Sequence, residues 1–264
     1  MVLAATVICG ACLFSSCKKD EEETPANLNV AEKIIGKWMT ADVDGQPSPT
    51  NEKKVYTVVS TTQAYLSASL IRPGVPTVWA DQMEAAVTID GNKVTLTMHP
   101  DEHTTGVEEY TVTAISDNEL SAILKLTVTI DGTVRISDEY TMRYVKVTAD
   151  YNEAIFGFWE CRGITGGETF NDDNARLQFL PDGSYNFYRK DDDGQWNLVP
   201  RERNEYFVDG NFLCTRWQAA GEEMSYEWWE IATVTDGQMQ WTALRQNVDG
   251  STFQQGVHWQ RAID

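Results

Sequence analysis

From residue 30 onward, apolar and polar residues alternate in short segments that are separated by turn dipeptides. A period of two is typical of β-strands that have one face against a core and the other in solvent. A helical period is confined to residues 30–35. The turns contain Asp-Gly and Asp-Asn pairs, which tolerate the positive φ angles of tight hairpins. The pattern predicts an all-β chain of antiparallel strands joined as an up-and-down meander. In the first half the predicted strands are 55–60, 64–70, 94–98, 110–115, 124–130 and 140–147.

Turn residues recur at a constant spacing between the two halves of the chain, which indicates an internal duplication. Asp90-Gly91 in the first half corresponds to Asp209-Gly210 in the second, 119 positions later. Asp117 corresponds to Asp236 at the same spacing. Ordered anchors at a fixed offset are the sequence signature of a repeat. We therefore predict two tandem copies of one small antiparallel up-and-down β-barrel.

The beginning of the chain has the pattern of a lipoprotein signal. Residues 1–16 contain no charge and end in small residues. This apolar run is too short to span a bilayer and is typical of a secretory signal. Leu13-Phe14-Ser15-Ser16-Cys17 resembles the lipobox that lipoprotein signal peptidase recognises. The resemblance implies that Cys17 is lipidated and anchors the chain to a membrane.

A run of Lys, Asp and Glu residues follows the cysteine and ends near Pro25. Such a segment cannot bury apolar area, so it predicts a flexible tether. In lipoproteins of the Bacteroidetes type, acidic residues at this place resemble a signal for export to the outer face of the outer membrane. The alternative is a solvated spacer, with the protein on the periplasmic face.

The net charge of the chain limits the classes of partner that it can bind. Its 264 residues include 21 basic and 40 acidic ones, which gives a formal net charge of −19. An acidic surface repels phosphate backbones and anionic head groups, so we expect no nucleic-acid partner and membrane contact through the lipid anchor alone. The predicted organisation is a lipoprotein signal peptide (1–16), the lipidated cysteine with its acidic tether (17–29), a first barrel (30–148) and a second barrel (149–264).

Each copy has a Gly-x-Trp motif on its first strand, Gly36-Lys37-Trp38 in the first copy and Gly157-Phe158-Trp159 in the second. Each copy also has a cation on its last strand, Lys146 in the first and Arg261 in the second. This combination resembles the lipocalin family within the calycin barrels, although each copy is smaller than the usual member. The resemblance implies that the tryptophan plugs one end of the barrel with the cation across its ring. It therefore predicts two barrel-closing pairs, Trp38 with Lys146 and Trp159 with Arg261, between neighbouring first and last strands.

Aromatic residues offer the strongest indication of a binding site. Seven of the 9 tryptophans lie in the second copy, so we expect this copy to bind a ligand if either does. Adjacent residues of a strand face opposite sides, so one of the paired tryptophans at 228 and 229 points inward. Inward tryptophans can instead fill a core. The candidate ligand-binding residues are Trp217, Tyr226, Trp228, Trp229 and Trp241.

Three function classes remain open. The leading hypothesis is non-enzymatic binding of a small apolar or amphipathic ligand inside a lipocalin-like barrel. The first alternative is a surface lipoprotein that binds glycans through exposed Trp and Tyr side chains. The second is a structural or interaction module with filled barrels.

No catalytic motif is recognisable in the sequence, so we expect neither an enzyme nor a cofactor. The segment 99–103 contains two histidines and two acids, but its proline favours a solvated loop over a metal site. Once the signal is cleaved and Cys17 carries the lipid, Cys161 and Cys214 remain, and an oxidising compartment permits a disulfide between them. Two buried thiols are equally compatible with the sequence.

Overall fold

The structure of the protein is a computed structural model that describes residues 28–166 and 174–262. The described chain is almost entirely β-structure, with one short helix, α1 (Val30–Lys33), and one 3-10 turn at Thr50–Glu52. Within these ranges, no helix has the length and apolar content needed to cross a membrane. The predicted signal peptide 1–16, Cys17 and most of the tether 17–29 lie outside the described residues.

The first sheet contains β1 (Gly36–Val43), β2 (Gln46–Pro47), β3 (Lys54–Val58), β4 (Gln63–Leu70), β5 (Val78–Asp90), β6 (Lys93–Met98), β7 (Thr104–Ile115), β8 (Glu119–Ile130) and β9 (Thr133–Lys146). The second contains β10 (Gly157–Thr165), β11 (Ala175–Phe179), β12 (Tyr185–Lys190), β13 (Trp196–Leu198), β14 (Arg203–Asp209), β15 (Phe212–Gln218), β16 (Ser225–Val234), β17 (Gln238–Gln246) and β18 (Thr252–Arg261).

The first sheet closes into an antiparallel barrel. Strands β3 to β9 each pair with the next in sequence, and β1 pairs with both β3 and β9. Eight strands therefore form a ring that has no free edge, while β2 only extends the hairpin of β1. The all-β prediction of tandem antiparallel barrels is confirmed.

The second sheet repeats this order but stays partly open. Strand β10 lies between β11 and β18, as β1 lies between β3 and β9. The edge strands are β13, which pairs with β12, and β14. The two sides of the sheet meet at a single isolated bridge, between Ser184 just before β12 and Glu205 of β14. In the first barrel the corresponding strands β4 and β5 pair over most of their length. We refer to the second sheet as the second barrel, which is a half-closed version of the first.

Strand β5 is one that the sequence pattern did not reveal. Gln82 adopts a φ of 54° in its middle, and the pairing with β4 shifts register at the same level. Because of this bulge, Ala80 is buried before the break, and Ala85 and Val87 are buried in the core after it. The inward positions thus change from even to odd numbers, which hides the alternation.

The two barrels pack against each other through outward-facing side chains. Met39 and Val55 on the outside of the first barrel are buried against Phe207 and Phe212 of the second. Lys37 forms an ion pair across this contact with an aspartate of β14. We call the apolar cluster around these four residues the inter-barrel cluster.

For Cys161 and Cys214 the sequence left a disulfide and two buried thiols open, and the structure has the two buried thiols. Both cysteines are buried, but no S–S bond joins them in the described chain. Cys161 belongs to the core of the second barrel, whereas Cys214 belongs to the inter-barrel cluster. The two side chains therefore face different sides of the same sheet. Burial raises the pKa of the Cys214 thiol well above its ordinary value.

Candidate functional site

One end of each barrel is closed by a tryptophan and a cation. Lys146 Nζ lies 5.0 Å from the ring centroid of Trp38, and the Arg261 guanidinium lies 4.2 Å from that of Trp159. The residues of each pair face each other across neighbouring first and last strands. Each indole Nε1 donates to the backbone carbonyl four residues earlier, at 2.7 Å and 2.6 Å. The structure thus brings both sequence-predicted pairs together.

The glycine of each Gly-x-Trp motif makes room for the cation. Gly36 has a φ of 128°, and a Cβ atom there would come within 2.8 Å of Lys146 Cε. Gly157 has a φ of 101°, and a Cβ atom would come within 3.0 Å of an Arg261 nitrogen. At both positions a side chain would be strained by the positive φ, and it would also push the cation away from its place beside the motif.

Above the plug of the first barrel lies a layer of three buried tyrosines, which converges on one carboxylate. The rings of Tyr56, Tyr110 and Tyr144 contact each other edge-on, with centroids 6.0 to 6.4 Å apart. The hydroxyls of Tyr56 and Tyr110 donate to Glu108 at 2.6 and 2.7 Å. Lys54 Nζ donates to the other oxygen of Glu108 at 2.5 Å. The network joins β3, β7 and β9 across the interior of the barrel.

The network keeps Glu108 ionised. Burial acts to raise the pKa of Glu108, but the charge of Lys54 and the hydrogen bonds from Lys54, Tyr110 and Tyr56 outweigh it and lower the pKa. Burial, followed by the charge of Glu108, raises the pKa values of all three tyrosines. The tyrosines consequently remain neutral donors.

A cavity of about 500 Å³ occupies the first barrel on the open side of this network. Lys54 and Glu108 form its inner end. Its volume lies within the range of small-molecule sites in proteins. The apolar wall is supplied by Leu66, Leu70, Met83, Met98, Leu126, Val128 and Ile136.

The mouth of the cavity is polar and includes a residue of the second barrel. The β4–β5 connection contributes Arg72, and the β6–β7 connection contributes His99 and Asp101. Arg216 of β15 also lines the cavity, and its guanidinium lies 4.4 Å from the ring centroid of Trp79. Since Arg216 comes from the second barrel, the packing of the two barrels shapes this rim.

The interior of the second barrel is occupied by aromatic rings. Trp241 contacts Trp229, with ring centroids 5.7 Å apart, and Trp259, with centroids 4.8 Å apart. Phe179 lies 6.0 Å from Trp241 and 4.8 Å from Tyr206. Two of the sequence-predicted ligand residues, Trp229 and Trp241, are thus buried core residues. The cavity lies in the first barrel rather than in the aromatic-rich second one, because these rings take up the space.

The other three predicted ligand residues do not converge on this core. Trp217 packs at its edge, where the Arg201 guanidinium lies 5.0 Å from its ring centroid. Tyr226 and Trp228 stack on the outer face at a centroid distance of 6.2 Å. Trp228 Nε1 donates to the Ser69 carbonyl of the first barrel at 2.8 Å. The outward rings are therefore used in the contact between barrels and do not form a separate platform.

The histidine-containing loop is part of the cavity mouth. The imidazole of His103 contacts the carboxylates of Glu102 and Asp131, with more than half of its side chain exposed. His99 Nδ1 lies 3.2 Å from the Thr105 hydroxyl. Across residues 28–166 and 174–262, no group of three or more His, Cys, Asp and Glu side chains is arranged to hold a metal.

Sequence reasoning did not single out Lys54 and Glu108. A signal existed, because Lys54 is in phase with the inward Tyr56 on β3, and Glu108 with the inward Tyr110 on β7. A charged residue at an inward strand position requires a partner, since an unpaired buried charge is very costly. The two positions are 54 residues apart, so only the fold shows that they meet.

The strands and the cavity define the class of this protein: an all-β protein of two tandem antiparallel barrels, the first with an internal cavity.

No protein-family model and no curated protein matches the sequence. One similar solved structure is a protein of unknown function from the DUF3598 family of Nostoc punctiforme PCC 73102. It is 9% identical, with 90% of this chain and 99% of that chain covered at a TM-score of 0.20. Another is a tryptophan-to-alanine variant of the vaccine antigen transferrin binding protein B from Haemophilus parasuis Hp5. It is 10% identical, with 82% and 67% covered at a TM-score of 0.22. The class therefore rests on the strand pairing of this chain itself.

Proposed function

We propose that this protein is a lipid-anchored binding protein of the outer membrane, whose first barrel takes up a small apolar or amphipathic molecule without chemical conversion. The observation that carries the proposal is the cavity of about 500 Å³ with apolar walls and the Lys54–Glu108 pair at its inner end. Sites for small molecules combine a mainly apolar lining with a few placed polar groups.

The anchor belongs to the proposal on the strength of the sequence. The lipobox-like segment before Cys17 and the acidic run after it support attachment to the outer membrane, with the barrels on the cell surface. The net charge of −19 supports a protein that stays away from the anionic head groups beside its anchor.

The second barrel has a supporting role in this proposal. Its interior is occupied by Trp229, Trp241 and Trp259, and it covers the outer face of the first barrel around Val55. It also supplies Arg216 to the rim of the cavity.

Native mass spectrometry of the purified protein tests the binding function. We expect one equivalent of the neutral apolar probe N-phenyl-1-naphthylamine to bind. The same spectrum, compared with the denatured mass, reveals any ligand retained from the expression host. An absence of both would contradict the proposal.

A matched pair of variants locates the binding. Val128 lines the cavity, so Val128→Trp places an indole inside it and should abolish probe binding. Ile123 lies on the same strand with 40% of its surface exposed on the outside, so Ile123→Trp should leave binding unchanged. Equal binding by both variants would place the probe outside the first barrel.

A further inference from the structure

We propose that the ligand of the first barrel carries an uncharged hydrogen-bond acceptor, such as a hydroxyl or carbonyl oxygen, that binds the Lys54 ammonium. This inference rests on the proposed binding function and names the chemical class of its ligand. Its basis is the different accessibility of the two members of the buried ion pair.

Lys54 is the member of the pair that faces the cavity. Its side chain keeps 11% of its surface accessible, whereas that of Glu108 keeps 2%. Among the described residues, one hydrogen bond from Lys54 Nζ is present, the one to Glu108. An ammonium group has three N–H donors, so donors remain for a ligand. The inner end of the cavity therefore offers hydrogen-bond donors.

Glu108 offers a ligand fewer hydrogen-bonding positions than Lys54 does. It accepts hydrogen bonds from Lys54, Tyr56 and Tyr110, which cover both of its oxygens. Three of the roughly four acceptor positions of this carboxylate are therefore occupied, and only 2% of its side chain is accessible, so a hydrogen-bond donor of a ligand has little access to it. The ligand group at this end is accordingly an acceptor.

The charge of the pair decides between a charged and an uncharged acceptor. Lys54 and the ionised Glu108 form a direct ion pair, so the net charge at this end of the cavity is zero. A carboxylate or phosphate bound to Lys54 would lie next to Glu108, and like charges in a low-dielectric interior repel strongly. An ammonium head would meet the same repulsion from Lys54. An uncharged oxygen avoids both.

The walls of the cavity define the rest of the ligand. From Lys54 toward the mouth, the lining side chains Leu66, Met98, Leu126 and Val128 are apolar. They supply no fixed partner for polar groups along the length of the molecule. An apolar body with one polar oxygen at its inner end fits this distribution.

The test compares ligands that differ only in their head group. Decane, 1-decanol, decanoate and decylammonium each compete with N-phenyl-1-naphthylamine for the purified protein at neutral pH. We expect 1-decanol to displace the probe at a concentration about tenfold lower than the other three, which corresponds to one hydrogen bond to a charged donor.

A double variant tests the assignment to the ion pair. Lys54→Met with Glu108→Gln removes both charges together, so neither is left unpaired. We expect 1-decanol to lose its advantage over decane, while decane itself competes as before. Lys125→Met is the matched control, since Lys125 contacts Glu109 on the outside of the barrel and should not change the order.

The outcomes separate this inference from the binding function. If decanoate or decylammonium competes as well as 1-decanol, or if decane does, the head-group assignment is wrong and the cavity still binds apolar molecules. If neither the probe nor any competitor binds, the proposed function fails as well. Should the double variant not fold, the order of the four ligands on the unmodified protein decides alone.

Discussion

At the scale of single residues, the cation of the last strand makes more contacts in the second barrel than in the first. Arg261 donates three hydrogen bonds to backbone carbonyls, at 2.7, 2.9 and 3.0 Å, and covers the face of Trp159. Lys146, its counterpart in the first barrel, donates one hydrogen bond, to Ile35 at 3.2 Å. The first barrel has a continuous ring of strands and the second does not.

We therefore predict that Arg261→Ala destabilises the protein more than Lys146→Ala. The loss should be about 2–3 kcal/mol for Arg261 and about 1 kcal/mol for Lys146, from the hydrogen bonds and the cation–π contact. Urea unfolding followed by tryptophan fluorescence measures both. Arg162→Ala, which removes a half-exposed arginine near the same strand, should change little. Equal losses at positions 146 and 261 would contradict the closing role of Arg261.

A second residue-scale prediction concerns pH. The pKa of Glu108 is lower in the folded state, so its ionised form stabilises the fold. This stability is present above the ordinary pKa of glutamate, about 4.3, and is lost as the pH falls through the folded-state pKa. At pH 7, Glu108→Gln should cost about 3 kcal/mol because it leaves Lys54 without its partner.

The difference between the protein and this variant should shrink when the pH is lowered below about 4. Urea midpoints measured across this pH range test the sign of the effect. Glu109→Gln is the control, because Glu109 is half-exposed on the outer face. A difference that stays constant with pH would mean that Glu108 is not ionised in the folded protein.

At the scale of elements, the contact between the barrels is a core of its own. Phe212 is fully buried in the inter-barrel cluster, beside Met39 and Val55 of the first barrel. The Thr50 hydroxyl accepts the backbone N–H of Leu244 at 2.8 Å, which adds a polar contact across the same boundary. Outward faces of β1, β3 and β15 are consequently apolar where an isolated barrel would be polar.

We predict that Phe212→Ala uncouples the two barrels. Deletion of a fully buried phenyl ring should cost about 3–5 kcal/mol. Differential scanning calorimetry should show one unfolding transition for the unmodified protein and two for the variant. Phe253→Ala removes a half-buried ring from β18, away from this cluster, and should keep one transition. A single transition in both variants would contradict the coupling.

The same elements show what the sequence can predict and what it cannot. The hairpin turns are local signals and predicted consecutive strand pairs. The neighbours β1 and β9 are distant in sequence, and they were predicted correctly only through the family resemblance that the Gly-x-Trp motifs and the closing cations carry. Strand β5 was missed because its bulge at Gln82 changes the alternation. The burial of Val55 could not be predicted from the sequence either, since it depends on packing against the other barrel.

The candidate site shows a similar division. The number of aromatic residues correctly indicated that the rings are concentrated in the second barrel, but it did not indicate where the cavity is. Trp229 and Trp241 contact each other and occupy the interior of their barrel. The space arises in the first barrel, where smaller side chains such as Leu66 and Val128 line the wall. Packing of this kind depends on residues distant in the chain.

At the scale of the whole molecule, the two tandem barrels have different interiors. The first barrel is closed by hydrogen bonds around its ring and contains a cavity. The second is partly open between its edge strands but occupied by aromatic side chains. The proposed function therefore places ligand binding inside the first barrel alone.

Methionine methyl groups report on this claim directly, because they occupy three separate environments. Met83 and Met98 line the cavity, Met39 lies in the inter-barrel cluster and Met239 lies in the core of the second barrel. NMR spectra of protein labelled with ¹³C in its methionine methyl groups would be recorded during titration with 1-decanol. We predict that the Met83 and Met98 signals shift and saturate together, while those of Met39 and Met239 stay in place. Shifts confined to Met239, or no shift of Met83 and Met98 at saturating ligand, would contradict binding in the first barrel.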